Sequence, residues 1–323
     1  IESIDDYIES FYKELSEAKL HDLLSKDEVV VVKIKDNKPI ATFKEKEIDL
    51  IKTDDKDKAL EEINKELDNV VGLDMVKDYI KSLQSHILIQ ERRKQQGMKT
   101  SDVSKHMIFT GNPGTGKTTI ARLISRYMKA IGALSQGQLV EVTRADLVGR
   151  YVGHTAPLTM QVIKSALGGV LFIDEAYSLY RGKDDSFGLE AIDTLVKAME
   201  DYRDDLIVIL AGYSKEMSTF LESNSGLKSR FPNVINFPDY TGEELMKIAL
   251  IIAKSKGYKI DDSLKEPLQE YFTKVQANNS KESGNGRLAR NVVEDAILRQ
   301  SERLIKDSKA SIDELILEDF NLD

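Results

Sequence analysis

Cysteine and tryptophan are both absent from the 323 residues. Without cysteine there is no disulfide, no thiolate metal site and no cysteine nucleophile, which suits a reducing compartment; a cytoplasmic location is expected. The four histidines, His21, His86, His106 and His154, are scattered at spacings that fit no metal site. Long hydrophobic runs are missing as well. The stretch from Leu206 to Ala211 is among the longest, far short of the roughly 18 residues that a membrane helix needs. The chain begins at Ile1, not at a methionine, and shows no signal-peptide pattern. Basic residues are outnumbered: 46 Lys and Arg against 55 Asp and Glu leave a net charge of −9, which argues against a general affinity for nucleic acid or anionic membrane.

What is present reads as a globular protein of about two domains. Residues 1–24 are apolar at Ile4, Ile8, Phe11, Leu15 and Leu20, a helical spacing. Val29–Ile34 and Ile40–Phe43 read as a hairpin across the turn at Asp36–Pro39. Residues 1–52 are thus expected to form a small α+β appendage; the stretch 52–58 is charged, and 53–68 is expected to be a linker and leading helix. From there the pattern changes. Apolar strands at 106–110, 138–143, 169–174 and 206–211, with a further one near 233–237, alternate with helices at 59–67, 74–96, 117–131, 156–166 and 187–200. Such alternation predicts an α/β core over 69–238, with a parallel sheet between helices. After Pro238 only helices are predicted, at 241–256, 262–277 and 286–305, giving a helical lid over 239–323.

The strongest motif is Gly111-Asn112-Pro113-Gly114-Thr115-Gly116-Lys117-Thr118, set between the apolar run ending Ile108-Phe109-Thr110 and a helical pattern from Thr119. A strand, then G-x-x-x-x-G-K-T, then a helix is the context of a phosphate-binding loop. Glycines let the backbone curl with its N–H groups inward, and the helix N-terminus adds partial positive charge. Lys117 is placed to reach the β- and γ-phosphates of ATP, and the Thr118 hydroxyl to hold Mg²⁺. Asn112, Pro113, Gly114, Thr115, Gly116 and Thr119 complete the expected nucleotide contacts.

The strand Gly169-Val170-Leu171-Phe172-Ile173 ends in Asp174-Glu175, two carboxylates at the sheet edge where ligands collect. Asp174 is the expected second Mg²⁺ ligand, and Glu175 the base that polarises the attacking water. The next strand ends Gly212-Tyr213-Ser214, where Tyr213 or Ser214 is placed to orient that water; a helix cap accounts equally well for Ser214. Arg230 follows a helix and is read as an arginine finger reaching a neighbour's γ-phosphate, with a surface ion pair as the plainer account. Arg287 and Arg290 share one helix face. Arg287 is expected to sense the phosphates, while Arg290 contacts nucleotide or forms a structural ion pair. Tyr151-Val152-Gly153 lies in the loop after the second strand, where the tyrosine either packs locally or projects.

Together these residues resemble the AAA+ ATPases from Asn69 to about Leu304. Walker A corresponds to Gly111–Thr118, Walker B to Leu171–Glu175, the arginine finger to Arg230 and sensor 2 to Arg287. Val70-Val71-Gly72-Leu73 resembles the segment bordering adenine, adding Val71 and Gly72 to the expected site. The stretches Tyr151–Pro157, Gly168–Leu179 and Ile209–Tyr213 are similar to the subfamily of red-type rubisco activases and stage V sporulation protein K relatives. That resemblance implies a hexameric homo-oligomeric ring whose pore loop, here Tyr151, Val152 and Gly153, pulls on a protein client. The superfamily's polar sensor 1 residue has no clear counterpart here. A rubisco-activase-type remodeller of a metabolic enzyme and a nucleotide-gated scaffold are the alternatives, and a nucleic-acid-linked loader is disfavoured by the charge.

Overall fold

Short runs of aliphatic residues, each stopped by a glycine, an acid or a polar residue, become the strands of one parallel sheet. The computed structural model describes residues 31–35, 38–43, 46–49, 55–99, 104–223, 225–279, 284–306 and 311–322. It divides into two units, Ile1–Glu62 and Ile63–Asp323.

In the first unit, β1 (Val31–Lys35), β2 (Lys38–Phe43) and β3 (Lys46–Asp49) form an antiparallel sheet in the order β1-β2-β3. The expected hairpin is present, and the third strand is additional. Lys46-Glu47-Ile48-Asp49 holds a single apolar residue, so no alternation announces it; pairing with β2, Ile40 opposite Asp49 and Phe43 opposite Lys46, makes it a strand. The helix expected over 1–24 lies outside the described residues. Helix α1 (Asp55–Asn69) starts four residues earlier than the expected 59 and takes up much of the expected linker. A charged stretch without apolar anchors shows no period in the sequence, yet it is helical here.

In the second unit, α2 (Asp74–Gln95) precedes a five-stranded sheet. Its strands are β4 (Met107–Thr110), β5 (Leu139–Val142), β6 (Val170–Ile173), β7 (Ile207–Gly212) and β8 (Asn233–Asn236), in the order β5-β6-β7-β4-β8 and all parallel. Helices α3 (Lys117–Ala130), α4 (Arg144–Leu147), α5 (Thr155–Ser165) and α6 (Ser186–Asp201) lie between strands, as do α7 (Ser214–Ser223) and α8 (Ser225–Arg230). The inner strands are fully covered on both faces: Met107 to Phe109 and Ile207 to Ala211 are all at 0% exposure. That burial is why their sequences read as continuous apolar runs. Phe109 packs against Phe172 and Phe237, with ring centroids 6.5 and 4.9 Å apart; truncating it to alanine would cost about 3–5 kcal/mol.

The edge strand β8 is held differently. Its Asn233 is buried and donates to the carbonyls of Ser104 (2.8 Å) and His106 (3.0 Å), while Tyr79 donates to Asn233 (2.9 Å). His106 is itself buried, and its Nδ1 accepts the Val208 N–H at 3.0 Å.

Beyond Pro238 come α9 (Gly242–Ser255), α10 (Lys265–Asn279) and α11 (Gly286–Lys306). The helical reading of this region needs one correction. Two two-residue strands, β9 (Lys259–Ile260) and β10 (Glu314–Leu315), pair in parallel across the lid. Bridges this short leave no period in a sequence.

Candidate active site

The phosphate loop runs from the end of β4 into α3, so strand and helix hold its two ends. Gly114 and Gly116 adopt φ of 74° and 93°, a region side chains resist. At Gly114 space forbids a side chain as well, because a Cβ would collide with the Gly284 carbonyl. The Lys117 ammonium folds back on the loop, donating to the carbonyls of Gly111 (2.8 Å) and Asn112 (2.7 Å). Burial lowers its pKa from the ordinary lysine value; the Asp174 charge opposes that shift and Arg287 reinforces it.

A cavity of about 550 Å³ opens over this loop. It brings together Pro113, Gly114, Gly116, Lys117, Thr118 and Thr119 from the loop and α3 with Asp174 and Glu175 from the end of β6. Arg287 and Arg290 reach it from α11, and Val71 from the segment before α2. The Asp174 Oδ1 accepts the Glu175 N–H at 3.0 Å. Glu175 is an exposed residue in left-handed conformation, φ 48°, where the chain leaves the strand for the one-turn helix Ala176–Leu179. Among the described residues no group of three or more His, Cys, Asp or Glu could enclose a metal. One hydroxyl, Thr118, and one carboxylate, Asp174, make a sparse, hard-oxygen donor set. It fits Mg²⁺, which keeps waters and shares phosphate oxygens.

Other expected residues sit elsewhere. Asn112 and Thr115 face away from the cavity: the Asn112 amide donates to both Asp239 carboxylate oxygens at 2.9 Å, and the buried Thr115 hydroxyl donates to the Asn112 carbonyl at 2.8 Å. Gly72, at φ 59°, is beside Val71 but does not line the cavity. Ser214 is exposed at the start of α7, donates to Asn236 at 3.4 Å, and does not line it either. Its neighbour Tyr213 does, with its ring 6.0 Å from that of Tyr177. Burial first, and then the Glu175 charge, push the Tyr177 phenol up to about 12. Arg230 ends α8 outside the cavity; its Nη1 donates to Gly226 O at 3.2 Å, and its buried Nε meets no acceptor among the described residues. Tyr151 and Val152 are 68% and 89% exposed, and the Tyr151 ring lies 5.5 Å from that of His154.

Sequence reasoning passed over Ile248, Ile251 and Ile252, which give the cavity an apolar wall on α9. Their spacing is helical, but Leu245, Met246, Ala249 and Ala253 already supply that helix with a core face. A second apolar stripe is the signal that was available.

A parallel sheet with a phosphate loop after β4, paired acids at the end of β6 on the far side of the intervening β7, and a helical lid closing one cavity defines a P-loop nucleotide hydrolase. The profile of the ATPase family associated with various cellular activities (AAA) matches residues 107–239, and that of the AAA lid domain matches residues 241–323. Stage V sporulation protein K of Bacillus subtilis is 48% identical over 257 residues, 79% of this chain and 80% of the relative. Protein CbbX of Cereibacter sphaeroides is 44% identical over 255 residues, 79% of this chain and 81% of the relative. The chloroplastic ribulose bisphosphate carboxylase/oxygenase activase of Cyanidioschyzon merolae is 42% identical over 256 residues, 79% and 87%. The fold is shared with the AAA domain of FIGL-1, solved in complex with ADP, at a TM-score of 0.55 and 19% identity over 78% of this chain and 80% of that one. The chain belongs to the AAA ATPase family, within reach of both the sporulation protein and the activases, and is an ATPase.

Proposed function

We propose that this ATPase is a ring-forming motor that remodels a protein client in the cytoplasm. ATP occupies the cavity with its base against Val71 and the α9 isoleucines and its phosphates in the loop. Lys117 and the loop N–H groups balance the phosphate charge. Thr118 and Asp174 would hold Mg²⁺, which would supply positive charge to offset that of the phosphates. Glu175 takes a proton from the water that attacks the γ-phosphorus, the bond to the β-phosphate oxygen breaks, and ADP and phosphate leave.

The observation that supports an assembly is the placement of Arg230. Lys117, Thr118, Asp174, Glu175 and Arg287 share one cavity, and Arg230 is not among its lining residues. An arginine finger supplied by the next copy in a hexameric ring completes such a site. The exposure of Tyr151 and Val152 supports a pore loop, since an aromatic and an aliphatic side chain together in water are costly unless they grip something. One relative is named as an activase of ribulose bisphosphate carboxylase/oxygenase and another as a stage V sporulation protein, and neither name fixes the client of this chain.

The test is a Glu175→Gln protein. It should bind ATP, assemble, and turn over at least a hundredfold more slowly, about the contribution of a positioned base. Client proteins trapped on it from extract identify the substrate. Turnover at the parental rate would overturn the assignment of the base, and assembly without any turnover in the parent would favour a nucleotide-gated scaffold.

A further inference from the structure

Three successive carbonyls of the phosphate loop are each held by a donor from beyond β8. Pro113 O accepts from Asn285 Nδ2 at 3.3 Å, Gly114 O from Gly286 N at 3.0 Å, and Thr115 O from the Tyr240 hydroxyl at 3.3 Å. A trans peptide points its C=O and its N–H in opposite directions. Holding these three oxygens on the lid side therefore turns the N–H groups of Gly114, Thr115 and Gly116 to the other side. A bonded carbonyl also makes the N–H of its own peptide a stronger donor.

Asn285 is the centre of this arrangement. It is fully buried, 0% exposed, and its amide uses every valence it has. Oδ1 accepts from Tyr240 N at 2.9 Å and from Gln276 Nε2 at 3.0 Å; Nδ2 donates to Pro113 O and, at 2.9 Å, to Asp239 Oδ1. The Asp239 carboxylate in turn takes both bonds from Asn112. The amide has one possible orientation, because a carboxylate only accepts and a backbone N–H only donates. Its backbone stands at φ 48°, a conformation that asparagine tolerates better than most residues. No other side chain meets both demands: aspartate lacks the donor, and leucine lacks the hydrogen bonds and resists the backbone.

We propose that Asn285 is a positioning residue of the nucleotide site: it aims the loop's N–H groups at the phosphates and makes that aim depend on where the lid sits. The proposal rests on the cavity being a nucleotide site, and it differs from the role given to Arg287, which faces the cavity directly. Asn285 is not among the residues that line the cavity.

Equilibrium binding of ATP and ADP to the full chain, read beside the thermal midpoint, tests this with two variants. Asn285→Gly keeps the left-handed backbone and removes the amide; it should weaken both nucleotides by about tenfold or more, the loss expected when a carbonyl's donor is removed from a strong anion site. The paired swap Asn285→Asp with Asp239→Asn restores a bond between positions 239 and 285. It should recover thermal stability relative to Asn285→Asp alone while leaving affinity low, because Pro113 O still faces no donor. A purely structural role would recover stability and affinity together, and that result overturns the proposal. Parental affinity in Asn285→Gly overturns it too. Failure of the parent to bind ATP would instead remove the nucleotide reading beneath it.

Discussion

Arg144 and Asp185 form a two-pronged ion pair that the fold nearly closes off from water. The guanidinium bonds the two carboxylate oxygens at 2.7 and 3.0 Å, and the two side chains are only 16% and 12% exposed. The same guanidinium donates to the carbonyls of Ser178 (2.9 Å) and Leu179 (3.0 Å). It therefore joins the turn after Glu175 to the segment that leads into Tyr151. Removing one partner of a buried pair strands the other. Asp185→Ala should lower unfolding stability by about 3 kcal/mol in chemical denaturation, and Arg144→Ala at least as much, since it also abandons two carbonyls. The hydrogen bond from Arg144 holds the Asp185 carboxyl below its usual value of 3.8. Its contribution is present above that ordinary value and is lost as pH falls through the lowered one.

His106 gives a second and higher pH window. Burial pulls its pKa down from 6.5 to about 4, against a backbone hydrogen bond to Met199 that pushes it up. The folded state prefers the neutral ring. Stability should be complete above pH 6.5, fall as the unfolded chain gains protons below it, and level off near pH 4, a loss of up to about 3 kcal/mol. His106→Gln, which retains an acceptor for the Val208 N–H, should flatten that part of the stability profile. A parental slope in the variant would assign the pH dependence to other groups.

The shared site predicts complementation. Lys117→Ala and Arg230→Ala proteins should each be nearly inactive alone, the first for want of a nucleotide and the second for want of the finger, worth about a thousandfold or more in comparable enzymes. Mixed together they should regain turnover, because an intact loop can then face an intact arginine. Steady-state ATPase of the mixture checks this; no gain on mixing would put Arg230 to work within its own chain or nowhere.

Tyr151→Ala should leave ATPase activity within about twofold of the parent, since the side chain is exposed and outside the cavity. Work on a client should fall away. A Tyr151→Phe protein, which keeps the ring, should retain most of it.

The strands and long helices were legible because burial writes itself into sequence. A strand covered on both faces must be apolar throughout, as Ile207 to Ala211 is, and the loop beside β4 needs its glycines for shape. Residues whose value lies in a partner were not legible. Asn285 has meaning only once Pro113, Asp239 and Tyr240 surround it, and these are far away in the chain. Ser214 and Tyr213 are adjacent, and no sequence period says which one turns toward Lys117; the structure puts Tyr213 on the cavity wall and Ser214 beside Asn236. Strand β3 was silent for the same reason, since its neighbour supplies what its own residues lack.

Helix α11 begins at Gly286, whose N–H is bonded to Gly114, and continues for 21 residues to Lys306. At 1.5 Å per residue that is a rod of about 31 Å with the phosphate loop at its fulcrum. A pivot of about 10° at that end swings the far end through roughly 5 Å, the rise of one helical turn. A small adjustment at Pro113 and Gly114 would by that geometry become a displacement at the periphery on the scale of a side chain stepping from one socket to the next.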